Sequence, residues 1–184
     1  MRILILGPQG AGKGTQAVRL CTELDVPHVS TGDLFRAHLK ESTPLGEKVK
    51  SLVDAGSLVP DEITNEMVRE RLAQPDASHG FLLDGFPRTA GQADVLDAML
   101  AERGVALDAV VELRVPQEVV VERMLARGRD DDTEDGIRNR LELYRAETAP
   151  LIDRYRDIVA SVDGVGSVDE VGERVLAALR GGRS

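Results

Sequence analysis

Arg2 to Leu6 is a short apolar run that breaks into Gly7-Pro8-Gln9-Gly10-Ala11-Gly12-Lys13-Gly14-Thr15, after which a helical pattern begins. The spacing G-x-x-x-x-G-K between a strand and a helix is that of a phosphate-binding loop. The glycines let successive backbone N–H groups turn inward into an anion nest. The helix starting at Lys13 adds the positive end of its dipole. Lys13 can reach across to the terminal phosphates. Where the general pattern has Ser or Thr after the lysine, this chain has Gly14, and the hydroxyl comes at Thr15. Mg²⁺ is therefore expected to be held mainly by phosphates and water. Asp84 and then Asp33 are the carboxylates placed to hold that water.

Such a loop belongs at the carboxyl end of a buried parallel strand, and the rest of the chain supplies the sheet. Apolar runs at 2–6, 26–29, 81–83, 109–115 and 159–162 read as strands. Helical patterns cover 13–24, 31–39, 45–55, 61–73, 90–103, 117–127 and 169–179. Another runs from 135 to about 158, with Pro150 placed to kink or break it. Alternation of this kind predicts an α/β fold of the phosphate-loop NTPase type, a five-stranded parallel sheet with helices on both faces. Two stretches depart from it. Residues 30–59 hold two successive helices without a strand, and residues 128–135 form a short charged connection. Insertions at the carboxyl ends of strands border the ligand crevice.

With 184 residues, one domain is expected. The chain carries 23 basic and 32 acidic residues, a net charge of −9, which disfavours nucleic acid and anionic membrane surfaces as partners. Cys21 is the single cysteine, so a disulfide framework and a multi-cysteine zinc site are excluded. No window approaches the roughly 18 apolar residues of a membrane span, and the first apolar run is too short for a signal peptide. A cytoplasmic location is expected. His28, His38 and His79 lack metal-like spacing and read as packing or surface residues.

Two further motifs accompany the loop: Asp84-Gly85-Phe86-Pro87-Arg88-Thr89 and Ser30-Thr31-Gly32-Asp33-Leu34-Phe35-Arg36. Together the three resemble the nucleoside monophosphate kinase family, in particular the adenylate kinases. The resemblance runs from Met1 to about Val175. It implies reversible transfer of the terminal phosphate of MgATP to AMP, giving two ADP, by a monomer. It also implies that residues 30–59 are a monophosphate-binding segment. Residues 126–132 would be a lid of the short type, because only Gly128 separates Arg127 from Arg129. With no cysteine there, no structural zinc is expected.

Carried over position by position, the resemblance implies that Gly10, Ala11, Gly12, Lys13, Gly14 and Thr15 wrap the ATP phosphates. Arg127 would contact ATP, Arg123 would stack on its adenine, and Gly166 would border that base. For AMP, Thr31 and Gln92 would read the base, and Arg36 and Arg88 would hold the phosphate. Ser57, Leu58 and Val59 would line that pocket, as would Gly85, Phe86 and Pro87. Arg129 and Arg140 would reach between the nucleotides. Lys13, Arg88, Arg127, Arg129 and Arg140 would form the catalytic set.

Adenine offers an amino donor beside ring-nitrogen acceptors, and a glutamine amide matches such a pair. Gln92 and Thr31 therefore favour AMP. A kinase for UMP or CMP and a non-catalytic nucleotide-binding protein remain the alternatives. Between residues 123 and 145, six arginines face six acids. Among those acids, Asp131 and Asp132 read as holding lid arginines in orientation.

Overall fold

The computed structural model describes residues 1–41, 43–54, 59–128 and 133–181, with the backbone alone at 48 and 51–54. Ser57, Leu58, Arg129, Asp131 and Asp132 therefore lie outside the described residues, as does most of the 126–132 stretch.

Strands β1 (Arg2–Leu6), β2 (His28–Ser30), β3 (Phe81–Asp84), β4 (Ala109–Arg114) and β5 (Val159–Asp163) form one sheet in the order β2-β3-β1-β4-β5. Every pairing is parallel. Alternate side chains of a strand point to opposite faces, and both faces of this sheet are covered. On β1, Leu4 and Leu6 enter one apolar cluster with Leu83, Phe81, Leu96 and Leu100. Ile3 and Ile5 enter the other, with Ala17, Leu20, Val111 and Val175. Burying each such large side chain contributes roughly 1.5–3 kcal/mol, so the central strand is fixed from both sides.

The helices begin and end where the chemistry of the chain dictates. Helix α1 (Lys13–Leu24) starts after Gly12, whose φ of 93° no helical residue adopts. Ser30 Oγ caps α2 (Thr31–Lys40) by accepting from Asp33 N. Helix α3 (Pro44–Asp54) follows directly, as the two-helix stretch predicted. Helix α4 (Asp61–Leu72) opens after Pro60. Thr89 Oγ1 caps α5 (Ala90–Ala101) by accepting from Gln92 N at 3.2 Å. Helix α6 (Gln117–Arg127) stops at Gly128, which is left-handed at φ 63°.

The long helix expected from 135 to about 158 is instead three pieces. Helix α7 (Glu134–Leu143) passes into one π-helical stretch, Tyr144–Thr148, and then into a short helix α8 (Pro150–Arg154). Pro150 takes an opening position of α8. It lacks the N–H that would continue the preceding ladder, so the chain widens its turn just ahead of it. Helix α9 (Val168–Gly181) closes the fold against α1 and β5. Among the described residues, no helix is long and apolar enough to cross a membrane.

Two smaller clusters lie outside the sheet. Val49, Ile63 and Met67 join α3 to α4, with Leu34, Phe35 and Val59 packed around them. Val120, Met124, Ile137 and Leu141 join α6 to α7.

Candidate active site at the carboxyl edge of the sheet

The strand order reverses around β1, and the crevice at the carboxyl ends there is where doubly wound sheets bind ligands. Register brings Ser30, Asp84 and Ile5 side by side at that edge. A cleft of about 760 Å³ opens above them. It is lined from one side by Gly10, Gly12, Lys13, Gly14 and Thr15, and from the other by Thr31, Asp33, Arg36, Gly85, Pro87 and Arg88. Arg123, Arg127 and Arg140 line it from α6 and α7. Guanidinium groups from four separate elements thus meet the phosphate loop in one space.

Lys13 is partly buried where the loop meets the cleft. Its Nζ donates to Gly7 O at 2.8 Å and Pro8 O at 3.0 Å, closing the loop on itself. Burial pushes the ammonium pKa down to about 8; Asp84 opposes that shift, whereas Arg88 and Arg127 reinforce it. A positive field of this kind favours an incoming phosphate. Arg123 ties the loop to the turn after β5, with Nη1 donating to Ala11 O at 3.4 Å and Nη2 to Gly164 O at 3.2 Å.

On the other side, Gly85 has φ 84°, and a Cβ there would stand 2.7 Å from Thr31 Oγ1. Only glycine lets the buried Thr31 hydroxyl approach and donate to Gly85 O at 3.1 Å. Arg88 Nε donates to the same carbonyl at 2.8 Å, which aims its guanidinium along the cleft. Arg36 and Asp33 pair at 2.6 Å on the exposed face of α2. The Arg36 guanidinium, followed by smaller contributions that include the Ser30 hydroxyl, holds the Asp33 carboxyl below its usual range.

Several residues singled out in the sequence stand elsewhere. Gln92 is 5% exposed and lies behind the cleft wall, with its amide already engaged. Oε1 accepts from Arg88 N at 2.8 Å, and Nε2 donates to Asp61 Oδ1 at 2.7 Å. Phe86 is part of the main core, Val59 packs on the α3–α4 cluster, and Ala11 is buried under the loop. Gly166 does not line the cleft; a Cβ on it would meet Glu170 Oε2 at 2.9 Å and Arg174 Nη2 at 3.3 Å. Cys21 packs half-buried beside α9, and burial pushes its thiol up to about 11.

Other cleft residues were not anticipated. His28 lines the cleft, with Nε2 3.6 Å from Asp84 Oδ2, although its sequence context suggested only packing or surface. The available signal was the two-residue period of β2, which puts His28 on the same face as Ser30. Tyr144, Glu147 and Thr148 line it from the π-helical stretch, and Thr148 Oγ1 donates to Arg88 O at 2.8 Å. Burial, with Glu112 adding to it, pushes the Tyr144 phenol up to about 12.

Asp84 lies on the cleft floor, where a Cβ on Gly14 would be 3.5 Å from its Oδ2. Its hard oxygen donors suit Mg²⁺, which keeps several waters and takes phosphate oxygens as ligands. Among the described residues no group of three or more His, Cys, Asp or Glu could cage a metal by itself. The residues present therefore fit a metal that arrives with a phosphate chain.

Comparison with known proteins agrees with this geometry. The sequence model described as adenylate kinase matches residues 5–159. The adenylate kinase of Nocardia farcinica is 59% identical over 179 residues, spanning 97% of this chain and 99% of its own length. That of Rhodococcus erythropolis is 58% identical over the same spans, and that of Mycobacterium bovis 55%. On a phosphate loop, a second basic wall facing it and near full-length identity to these relatives, the chain belongs to the adenylate kinase family.

Proposed function

We propose that the cleft carries out reversible transfer of the terminal phosphate of MgATP to AMP, giving two ADP, and so balances adenine nucleotides and returns AMP to use. The convergence of Lys13, Arg88, Arg127 and Arg140 on one cleft carries this reading. Phosphoryl transfer spreads negative charge over the equatorial oxygens, and catalysis is chiefly positioning and electrostatic stabilisation.

In this reading the N–H groups from Gly10 to Thr15 hold the ATP phosphates. Lys13 exchanges its loop carbonyls for phosphate oxygens. Arg36 and Arg88 hold the AMP phosphate against Thr31 and Gly85, and an oxygen of that phosphate attacks in line. Arg127, Arg129 and Arg140 stabilise the transferring group, and Arg123 orients the loop and borders the ATP base. Helices α2 and α3 form the monophosphate side. Mg²⁺ bound with the triphosphate would neutralise its charge, and Asp84, with Asp33 second, would hold its waters. Nothing in the geometry calls for a covalent nucleophile.

The test is a coupled assay of ADP formation. Turnover is expected to require ATP, AMP and Mg²⁺ together. Phosphorylation of UMP but not AMP would refute the assignment of substrate, and binding of both nucleotides without ADP would refute the assignment of activity.

A further inference from the structure

We propose that Asp61 is a specificity-determining positioning residue, which locks the Gln92 amide in the one orientation that accepts adenine and rejects a 6-oxopurine. The proposal rests on the reading, implied by the family resemblance, of Gln92 as the residue that meets the AMP base, which requires the base to enter past the wall that covers the amide in this structure.

A glutamine amide can be turned over, exchanging its donor and acceptor with almost no change in shape. Gln92 is denied that freedom by its two neighbours. Arg88 N–H only donates, so the atom facing it at 2.8 Å must be Oε1. The Asp61 carboxylate only accepts, so the atom facing Oδ1 at 2.7 Å must be Nε2. Turning the amide over would set oxygen against carboxylate and N–H against N–H. Asp61 is itself held. Its Oδ2 accepts from Thr89 Oγ1 at 3.2 Å, and that same hydroxyl caps α5 by accepting from Gln92 N. Asp61 opens α4 and Thr89 caps α5, so the carboxylate clasps the starts of two helices.

Each amide atom keeps one unused valence, a lone pair on Oε1 and an N–H on Nε2. Oε1 can accept from the adenine amino group while Nε2 donates to the adjacent ring nitrogen. In a 6-oxopurine both polarities are reversed, with an oxygen at C6 and a hydrogen on N1. Reading that base requires the overturned amide, which Asp61 opposes with a charged acceptor and the Arg88 N–H with a donor. Specificity here comes from a contact made unfavourable for the wrong base, not only from one made for the right base.

The test compares AMP with inosine monophosphate, whose base differs from adenine only along that edge. In Asp61→Asn the side chain can present its own NH₂ to an overturned Gln92, which leaves the Arg88 N–H as the one neighbour still opposing that orientation. The ratio of kcat/KM for AMP over inosine monophosphate is then expected to fall at least about tenfold. Asp61→Ser, which also removes the carboxylate, should lower the ratio in the same direction. Both substrates are measured on one preparation, so a loss of folded protein scales them equally and leaves the ratio untouched.

A ratio within twofold of the original enzyme in both variants overturns the lock. Gln92→Ala separates this from failure of the underlying reading. An unchanged KM for AMP in that variant shows that Gln92 does not meet the base, and the lock falls with it. A KM raised tenfold or more, with the ratio unmoved by the Asp61 variants, overturns the lock alone.

Discussion

The two walls of the cleft are anchored very differently. The phosphate loop is strung between β1, whose Ile3, Leu4, Ile5 and Leu6 are all buried, and α1, which buries Ala17 and Leu20. Lys13 and Arg123 then tie the loop down through its own carbonyls. The facing wall begins with α2, where Thr31 is the only buried residue. Its apolar support is Leu34 against the edge of the main core and Leu34 and Phe35 against the small cluster of Val49, Ile63 and Met67. Local stability follows buried apolar contact, so on the proposed reading the phosphate-loop wall, the triphosphate side, should act as a fixed template and the α2–α3 wall, the monophosphate side, should open at lower cost. An enzyme that must admit two nucleotides and then exclude water needs that inequality.

The fixed wall predicts the largest single effect. Lys13→Met should lower turnover at least a hundredfold, since losing one oxyanion-stabilising donor costs about 10²–10³ in rate. The loop is held by the sheet and by Arg123, so its thermal midpoint should move little. A circular dichroism melt beside the coupled assay checks both parts. A large fall in the midpoint would show that Lys13 holds the loop together rather than serving the phosphates.

The yielding wall is tested by its cluster. Met67→Ala should cost about 2 kcal/mol, the lower end for such truncations, because its small cluster is bordered by partly buried side chains and collapses more readily than the main core. Leu83→Ala, on the central sheet, should cost nearer the upper end, about 5 kcal/mol. Amide exchange in α2 and α3 should be faster than in β1 before either change and should accelerate further in Met67→Ala. Equal protection of the two walls would break the comparison.

The same contrast decides what could be read from the sequence. The phosphate loop was legible because its glycines, its lysine and its flanking strand and helix are all local in sequence. Strands and helices followed from apolar runs bounded by turn residues, and the parallel sheet from their alternation. The π-helical stretch was not legible, since Pro150 forbids one continuous helix without saying how the chain passes it. His28 was missed because its meaning depends on Asp84, 56 positions later in the chain and brought near only by the β2–β3 register. The motif position of Gln92 pointed to the base, but the engagement of its amide by Asp61 is a long-range fact. Gly166 was placed by the resemblance at a glycine-rich turn, and a Cβ on it would meet Glu170 and Arg174.

The depressed pKa of Lys13 gives a pH signature to the fixed wall. Phosphate oxygens favour the ammonium, so binding takes up a proton wherever the free site has lost it. MgATP affinity should be full below pH 8. Above that it should weaken about tenfold per pH unit, until the bound lysine also deprotonates. Calorimetric titration between pH 7 and pH 9.5 in buffers of different ionisation heat measures both the affinity and the proton uptake. An affinity independent of pH across that range would mean either that the free site keeps the Lys13 ammonium throughout or that the phosphates lie away from it, and proton uptake in Lys13→Met separates the two.

The smallest effect belongs to the surface of the yielding wall. Asp33 and Arg36 pair in the open on α2, at 64% and 62% side-chain exposure. A pair so placed is screened by water and contributes at most about 1 kcal/mol. The Asp33 carboxyl is held low, chiefly by Arg36, so whatever it adds to stability is present at neutral pH and is lost as pH falls through its folded value. Asp33→Asn should therefore shift the denaturant midpoint only slightly at pH 7, and less still near pH 3. Its consequence for binding is larger in kind than in size. Freed of its partner, Arg36 is no longer held in one direction, and KM for AMP should rise a few-fold, more than KM for MgATP, whose Mg²⁺ waters would still be held by Asp84. A change confined to ATP would mean that Asp33 serves the triphosphate side through its waters, and that the two walls are less separate than their anchoring implies.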